Sequence, residues 1–143
     1  MENTTNTTET AARLRRAVTR LNRRLRYSAL GGISPAQASM LASIDSLKNP
    51  SLGDLALAEQ IQPPSVTRLA RVMQKSGLIT CSPDAEDRRS TRVSITALGR
   101  KEIENIRRRK TEFLERKLVA LSTMDQQKAD ELVDFLELLL ADE

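Results

Sequence analysis

At Gly77 the apolar periodicity of this chain changes, and no other feature constrains the fold as much. Before it, apolar residues recur at intervals of three and four, the mark of helices that bury one face. After it, Leu78-Ile79-Thr80-Cys81 and Arg92-Val93-Ser94-Ile95 alternate with a period of roughly two, separated by the polar run from Pro83 to Thr91. The pattern predicts a β-hairpin with a long charged loop, inserted among helices.

Glycine, proline and capping residues divide the remainder. Residues 11–29 carry Leu14, Val18, Leu21 and Leu25 as one stripe, with Arg13, Arg16, Arg20, Arg23 and Arg24 on other faces, so the first helix is amphipathic and strongly basic. Gly31-Gly32 breaks it, and Ser34-Pro35 opens a second helix to about Leu47, closed by Asn49-Pro50. Ser51-Leu52-Gly53-Asp54 has capping-box spacing, with Asp in place of the usual Glu, ahead of a short helix bearing Leu55, Ala56 and Ala58. Pro63-Pro64 introduces a further helix, about Pro64 to Ser76, which Gly77 ends. Thr96-Ala97-Leu98-Gly99 begins a long helix to about Leu121, and Ser122 caps a last one through Leu132, Phe135, Leu136 and Leu139. Residues 1–10, with five threonines and no large apolar residue after Met1, bury too little to offset their ordering entropy and are expected to be a disordered tail.

Composition then removes whole classes of chemistry. The 143 residues contain no histidine and one cysteine, Cys81, which leaves no disulfide framework, no multi-cysteine metal site and no nucleophile beside a base. There is no glycine-rich phosphate loop either, so neither an enzyme, a metal nor a cofactor is expected. Cys81 falls on a strand, where thiols are usually inert. No run of apolar residues is long enough for a membrane span and no signal-peptide core is present, so a cytoplasmic protein is expected. The first helix lacks Trp and Phe on its modest apolar face, which argues against a membrane surface. The net charge of +4 is unevenly spread: residues 13–26 hold seven arginines and no acid, whereas residues 128–143 hold one lysine and six acids. DNA phosphate and the acidic last helix, of the same or another copy, are both open as partners for those arginines.

Two short helices joined by a tight turn and followed by a hairpin form a winged helix-turn-helix, whose second helix enters the major groove of duplex DNA. At about 100° per residue, Val66, Leu69, Ala70 and Met73 share one arc of that helix, while Thr67, Arg68, Arg71 and Lys75 lie opposite, with Pro64 among them. Any amphipathic helix shows polar residues to water, but here a basic hairpin follows. Arginine presents a rigid fork that bridges guanine acceptors or grips phosphate, which singles out Arg68 and Arg71, and Ser65 and Thr67 sit near a helix N-terminus whose dipole favours anions. The loop from Asp84 to Arg92 places Arg88, Arg89 and Arg92 among three acids. Such a loop can put arginine into a minor groove or onto phosphate. A carboxylate facing phosphate is repelled, so Asp87 is expected to brace Arg89 and shape the loop. A winged-helix adaptor that binds protein rather than DNA is the alternative; it needs no such basic face.

The ordered set Ser65-Val66-Thr67-Arg68-Leu69, Gly77-Leu78-Ile79, Asp87-Arg88-Arg89 and Ile95-Thr96-Ala97-Leu98-Gly99 resembles the signature of the MarR family of bacterial transcriptional regulators. The resemblance implies a mainly α protein with a small hairpin wing, in which residues 31–96 form the DNA-binding domain and residues 11–30 and 97–143 form a helical dimerisation region. It implies a homodimer on a pseudo-palindromic operator of double-stranded DNA, with Ser65, Thr67 and Arg68 in the reading helix and Asp87, Arg88 and Arg89 in the wing. The apolar stripes of the terminal helices independently ask for a partner. The resemblance further implies a repressor, nucleoid-associated when bound, that releases DNA on binding a small, often aromatic anionic effector. A cleft between dimer helices and winged domain would take it, with Tyr27 and Phe113 as lining residues.

Overall fold

Side-chain oxygens start most of the helices. Ser34 accepts from the Gln37 amide at 3.1 Å while the Gln37 side chain accepts from the Ser34 amide at 3.0 Å, a reciprocal capping box that opens α2 (Pro35–Leu47). Ser51 and Asp54 do the same for α3 (Leu52–Glu59), each bond 3.0 Å long. Ser122 caps α6 (Thr123–Leu140) through the Asp125 amide at 3.2 Å. The remaining elements of this computed structural model are α1 (Glu2–Ala29), α4 (Pro63–Lys75), β1 (Ile79–Pro83), β2 (Thr91–Ile95) and α5 (Ala97–Val119). The structure describes residues 2–29 and 31–141.

The N-terminus departs from expectation. Instead of a disordered tail over residues 1–10, α1 is continuous from Glu2; Met1 lies outside the described residues, as does Leu30 at the expected domain boundary. Once residues 11–29 have nucleated a helix, each added residue gains a backbone bond for little further ordering. The threonine-rich stretch therefore propagates although residues 6–10 stay exposed. The helix before Gly77 also begins one residue earlier than its prolines suggest, at Pro63.

β1 and β2 pair antiparallel in the register Ile79↔Ile95, Cys81↔Val93, Pro83↔Thr91, which turns Ile79 and Val93 into the interior and leaves Thr80 outside. One continuous core joins Met40, Leu41 and Ile44 of α2, Leu55 of α3, Val66, Ala70 and Met73 of α4, the hairpin and Ile103 of α5. Each fully buried large aliphatic side chain contributes about 1.5–3 kcal/mol, so Val66 and Met73, with the smaller Ala70, anchor the inner face of α4 to this core. The return from the wing is locked by Thr96, whose hydroxyl donates to the Gly77 carbonyl at 2.6 Å and accepts from the Gly99 amide at 3.0 Å. Gly99 has to be glycine because a Cβ there would strike the Leu78 carbonyl. α6 stands apart: it contributes no buried residue.

Candidate nucleic-acid interface

α4 separates its faces cleanly. Val66, Ala70 and Met73 are buried and Leu69 is half-buried, while Pro64, Ser65, Arg68, Arg71 and Lys75 are exposed. Among the described residues, Arg68, Arg71 and Lys75 have no ion pair or side-chain hydrogen bond in the chain, so nothing competes for their donors. Thr67 is only half-exposed, and its hydroxyl donates to the Pro63 carbonyl at 3.1 Å.

The start of α4 differs from the anion-attracting helix end expected there. Pro63 and Pro64 have no N–H, the N-cap Gln62 gives no side-chain bond, and the amides of Ser65 and Val66 both donate to the Gln62 carbonyl, at 2.9 and 3.2 Å. A helix normally leaves its first amides open; this one leaves the Ser65 hydroxyl and the axial dipole.

The wing loop is held by its own backbone. The Asp84 amide donates to the Ser90 carbonyl at 2.8 Å, and the Ser90 amide to the Asp87 carbonyl at 2.9 Å. Asp87 Oδ1 accepts from the Arg89 amide at 3.1 Å and from Arg89 Nε at 3.3 Å. The side chains are 93% and 52% exposed for Arg89 and Asp87, so the ion pair itself is worth only about 0.2–1 kcal/mol, and the amide bond is what shapes the turn. Arg88 is exposed and unpaired among the described residues.

Arg92, grouped with the wing contacts on sequence grounds, is turned inward at the wing's base. Its Nη2 lies 3.4 Å from Asp84, its Nη1 lies 3.6 Å from Asp54 at the start of α3, and Nη1 donates to the Asn49 carbonyl at 3.4 Å. Ser94 donates to Asn49 Oδ1 at 2.8 Å and the Val93 amide to the Pro50 carbonyl at 2.9 Å, so the free edge of β2 is stapled to the α2–α3 loop. Hydrogen bonds from the Ser51 amide and hydroxyl, with Arg92's charge behind them, hold the Asp54 carboxyl below its ordinary pKa. Sequence reasoning missed this clamp because Asn49, Asp54 and Asp84 carry no signal that they converge. Burial pushes the Cys81 thiol upward, away from the reactive thiolate.

A cleft of about 340 Å³ lies between α1, α2 and α5. Ala38, Ala42, Ile103 and Ile106 give it apolar walls, and Arg26, Arg107 and Lys110 reach it with positive charge; Arg107 is neutralised by Asp45 at 3.2 Å. Tyr27 lines an adjoining hollow that shares Asn22, Arg26 and Pro35 with the cleft, and it is largely exposed. Phe113 does not line either: it lies a turn beyond Lys110, half-buried, with Lys117 Nζ 5.8 Å from its ring centre. No local motif singles out Arg107 and Lys110, but their spacing from Ile103 and Ile106 places all four on one side of α5. Ser39 on the cleft wall donates to Glu59 at the end of α3 at 2.7 Å, and Ser43 donates to the same carboxylate. Behind the cleft, Arg109 donates to the Ala29 carbonyl at 3.2 Å and packs so closely on Gly31 that any side chain there would displace it.

The helix-turn-helix, the hairpin wing and the flanking helices define a winged-helix protein of the transcription-regulator class. Residues 33–91 match the MarR family. An HTH-type transcriptional regulator of Mycobacterium tuberculosis is 31% identical over 134 residues, spanning 92% of this chain and 90% of that protein. A solved putative transcriptional regulator of Pseudomonas aeruginosa is 30% identical, covers 92% of this chain and 94% of its own, and superposes with a TM-score of 0.78. The fold is shared more distantly, at 22% identity and a TM-score of 0.70 over 91% of this chain and 97% of the other, with a variant of S. aureus MepR bound to an oligodeoxyribonucleotide. The chain belongs to the MarR family: it is a transcriptional regulator and not an enzyme. Among the described residues no helix is long and apolar enough to cross a membrane.

Proposed function

We propose that the protein is a dimeric, sequence-specific repressor that binds a pseudo-palindromic operator in the bacterial cytoplasm, associating with the nucleoid when bound, and leaves it when a small aromatic anion enters the cleft. The observation that carries the DNA reading is the outer face of α4, where Arg68, Arg71 and Lys75 have no partner among the described residues, beside an equally free Arg88 on the wing. Arg68 and Arg71 meet base edges in the major groove, with Pro64, Ser65, Thr67 and Lys75 along the same helix. Arg88 and Arg89 meet phosphate or the adjacent minor groove. Asp87 holds the loop and Arg92 sets its angle. A protein-binding adaptor has no use for this arrangement.

Two copies are supported by α6, whose Leu132, Val133, Phe135, Leu138, Leu139 and Leu140 are all exposed. A solitary helix with no core contact is marginal in water and gains from burial against a second subunit. The effector reading is supported by the cleft, in which apolar walls suit a ring and Arg26 and Lys110 suit a carboxylate. Tyr27 borders its mouth.

Footprinting on the selected operator tests the whole reading. Two protected patches about 34 Å apart are expected, one helical turn of DNA. Arg88→Ala should weaken binding to every duplex and lower the salt slope, whereas Arg68→Ala should also relax sequence preference. Phenolic acids should release the operator from the parent protein, and Lys110→Ala should raise the concentration required. A single protected half-site, or equal binding by parent and variants, contradicts the proposal.

A further inference from the structure

α1 carries positive charge that nothing in the chain opposes. The seven arginines between residues 13 and 26 are all exposed, and none makes a side-chain ion pair or hydrogen bond among the described residues. Like charges at helical spacing repel, so the helix is stabilised by any anion that settles on it.

Position around the axis sorts these arginines. Leu14, Val18, Leu21 and Leu25 fall within an arc of about 60° and form the apolar stripe. Arg16, Arg20, Arg23 and Tyr27 share a second arc of about 60° on the opposite side. A neighbour that covers the stripe therefore leaves this arc outside. Arg16 and Arg23 stand about 10 Å apart along the helix, and the nearest acid on the arc, Glu9, lies about 10 Å further out. Tyr27 is 69% exposed, and beside it Asn22, Arg23 and Arg26 line an open hollow of about 240 Å³.

The spread of the charge selects its partner. A small anion meets one or two arginines, whereas three over about 10 Å match a nucleic-acid strand with a phosphate roughly every 3.4 Å of helix axis. A lipid surface takes up a helix through a broad apolar face, and this arc offers Tyr27 alone. The arc is also remote from the reading helix in the order of packing: α1 lies chiefly on α5, whereas α4 lies on α3 and β1.

We infer that the outer arc of α1 is a second duplex-binding surface, indifferent to sequence, which holds another DNA segment while α4 reads its own. Arg16, Arg20 and Arg23 grip phosphates, and the Tyr27 hydroxyl adds a further donor to the backbone. One molecule then joins two stretches of DNA. The surface works whether or not α4 discriminates between sequences.

The experiment uses the full chain, a form with Arg16→Gln, Arg20→Gln and Arg23→Gln, and a form with Arg68→Ala, Arg71→Ala and Arg88→Ala. Anisotropy with a labelled random-sequence duplex reads the α1 surface directly. The alanine form should still bind this duplex, and about 40-fold more weakly at about 200 mM salt than at about 50 mM, the effect of three phosphate contacts. Adding the glutamine changes to it should weaken binding at least about tenfold at the lower salt. Energy transfer between a donor-labelled operator and an acceptor-labelled random duplex should appear with the parent and vanish with either form. Sedimentation velocity should give all forms the parental assembly state. An alanine form that no longer binds the random duplex, or glutamine changes without effect on it, overturns the inference. So does a glutamine form whose assembly state differs, because its arginines then serve subunit contact. Parental binding to phosphatidylglycerol vesicles without energy transfer between duplexes assigns the arc to a lipid surface and overturns it too. A parent that leaves the operator unprotected while the glutamine changes still abolish random-duplex binding faults the α4 reading and upholds this one.

Discussion

Replacing Arg92 with alanine separates two roles open to a basic residue beside a DNA reader. If Arg92 touches DNA, the variant loses affinity and its salt dependence falls while the free protein is unchanged. The geometry argues for the opposite. Arg92 Nη2 lies 3.4 Å from Asp84, whose side chain is only 20% exposed against 41% for Arg92 itself. An exposed pair contributes about 0.2–1 kcal/mol, and a partly buried carboxylate left without its donor costs about 1–3 kcal/mol more. Taken together, Arg92→Ala should destabilise the fold by about 2 kcal/mol, or lower Tm by about 6 °C for a domain of this size. Thermal unfolding followed by circular dichroism reads the first effect, and fluorescence anisotropy with an operator duplex across a salt series reads the second. The expected salt slope is that of the parent, whereas each phosphate contact removed lowers it by about 0.9. Adding Asp84→Ala to Arg92→Ala should recover part of the lost stability, because no carboxylate is then stranded. An unchanged Tm with a reduced slope refutes the clamp and returns Arg92 to the DNA surface.

Gly99→Ala drives a methyl group into the backbone carbonyl of Leu78 and should cost about 1–3 kcal/mol in chemical denaturation; parental stability means that α5 can pivot on Thr96. The Asp54 carboxyl is held low in the folded state, so its contribution is present above the unfolded value and disappears as pH falls through the folded one. Asp54→Asn should therefore flatten the acid limb of the Tm profile below about pH 4, and a limb as steep as the parent's removes Asp54 from the account. Ser39→Ala combined with Ser43→Ala strips Glu59 of both hydroxyl donors and should loosen α2 from α3 by about 1–3 kcal/mol in the same denaturation assay. Unaltered stability would mean that water replaces both hydroxyls without loss.

The sequence is most legible where local chemistry decides. Ser51 with Asp54 and Ser122 announce their helices because a cap acts on amides two or three residues away, and the alternation after Gly77 displays the hairpin because strand faces alternate by residue. The inner and outer faces of α4 follow from the same arithmetic, with Val66, Ala70 and Met73 buried beneath Arg68 and Arg71. What depends on distant segments meeting is not written locally. Arg92 reads as one more basic wing residue until Asn49 and Asp54 converge on it from the α2–α3 region, and nothing local announces that Arg107, still largely exposed, pairs with Asp45 of α2. Phe113 fails as a lining residue because an aromatic on the right helix need not lie on the right turn. Residues 2–10 fail differently: composition reports how little they bury, whereas their helix is inherited from its neighbour.

The paired prolines at the head of α4 bear on how such a reader changes over evolution. A helix that grips phosphate through its first amides ties recognition to the position of its backbone. Here those amides are missing or engaged at Gln62, so the unbound tip presents few bare donors to water and docking strips little hydration from the main chain. If α4 reads bases as proposed, selectivity then resides in interchangeable side chains on a fixed frame, and a new target sequence is acquired by substitution at Ser65, Arg68 or Arg71 without rebuilding the turn that carries them.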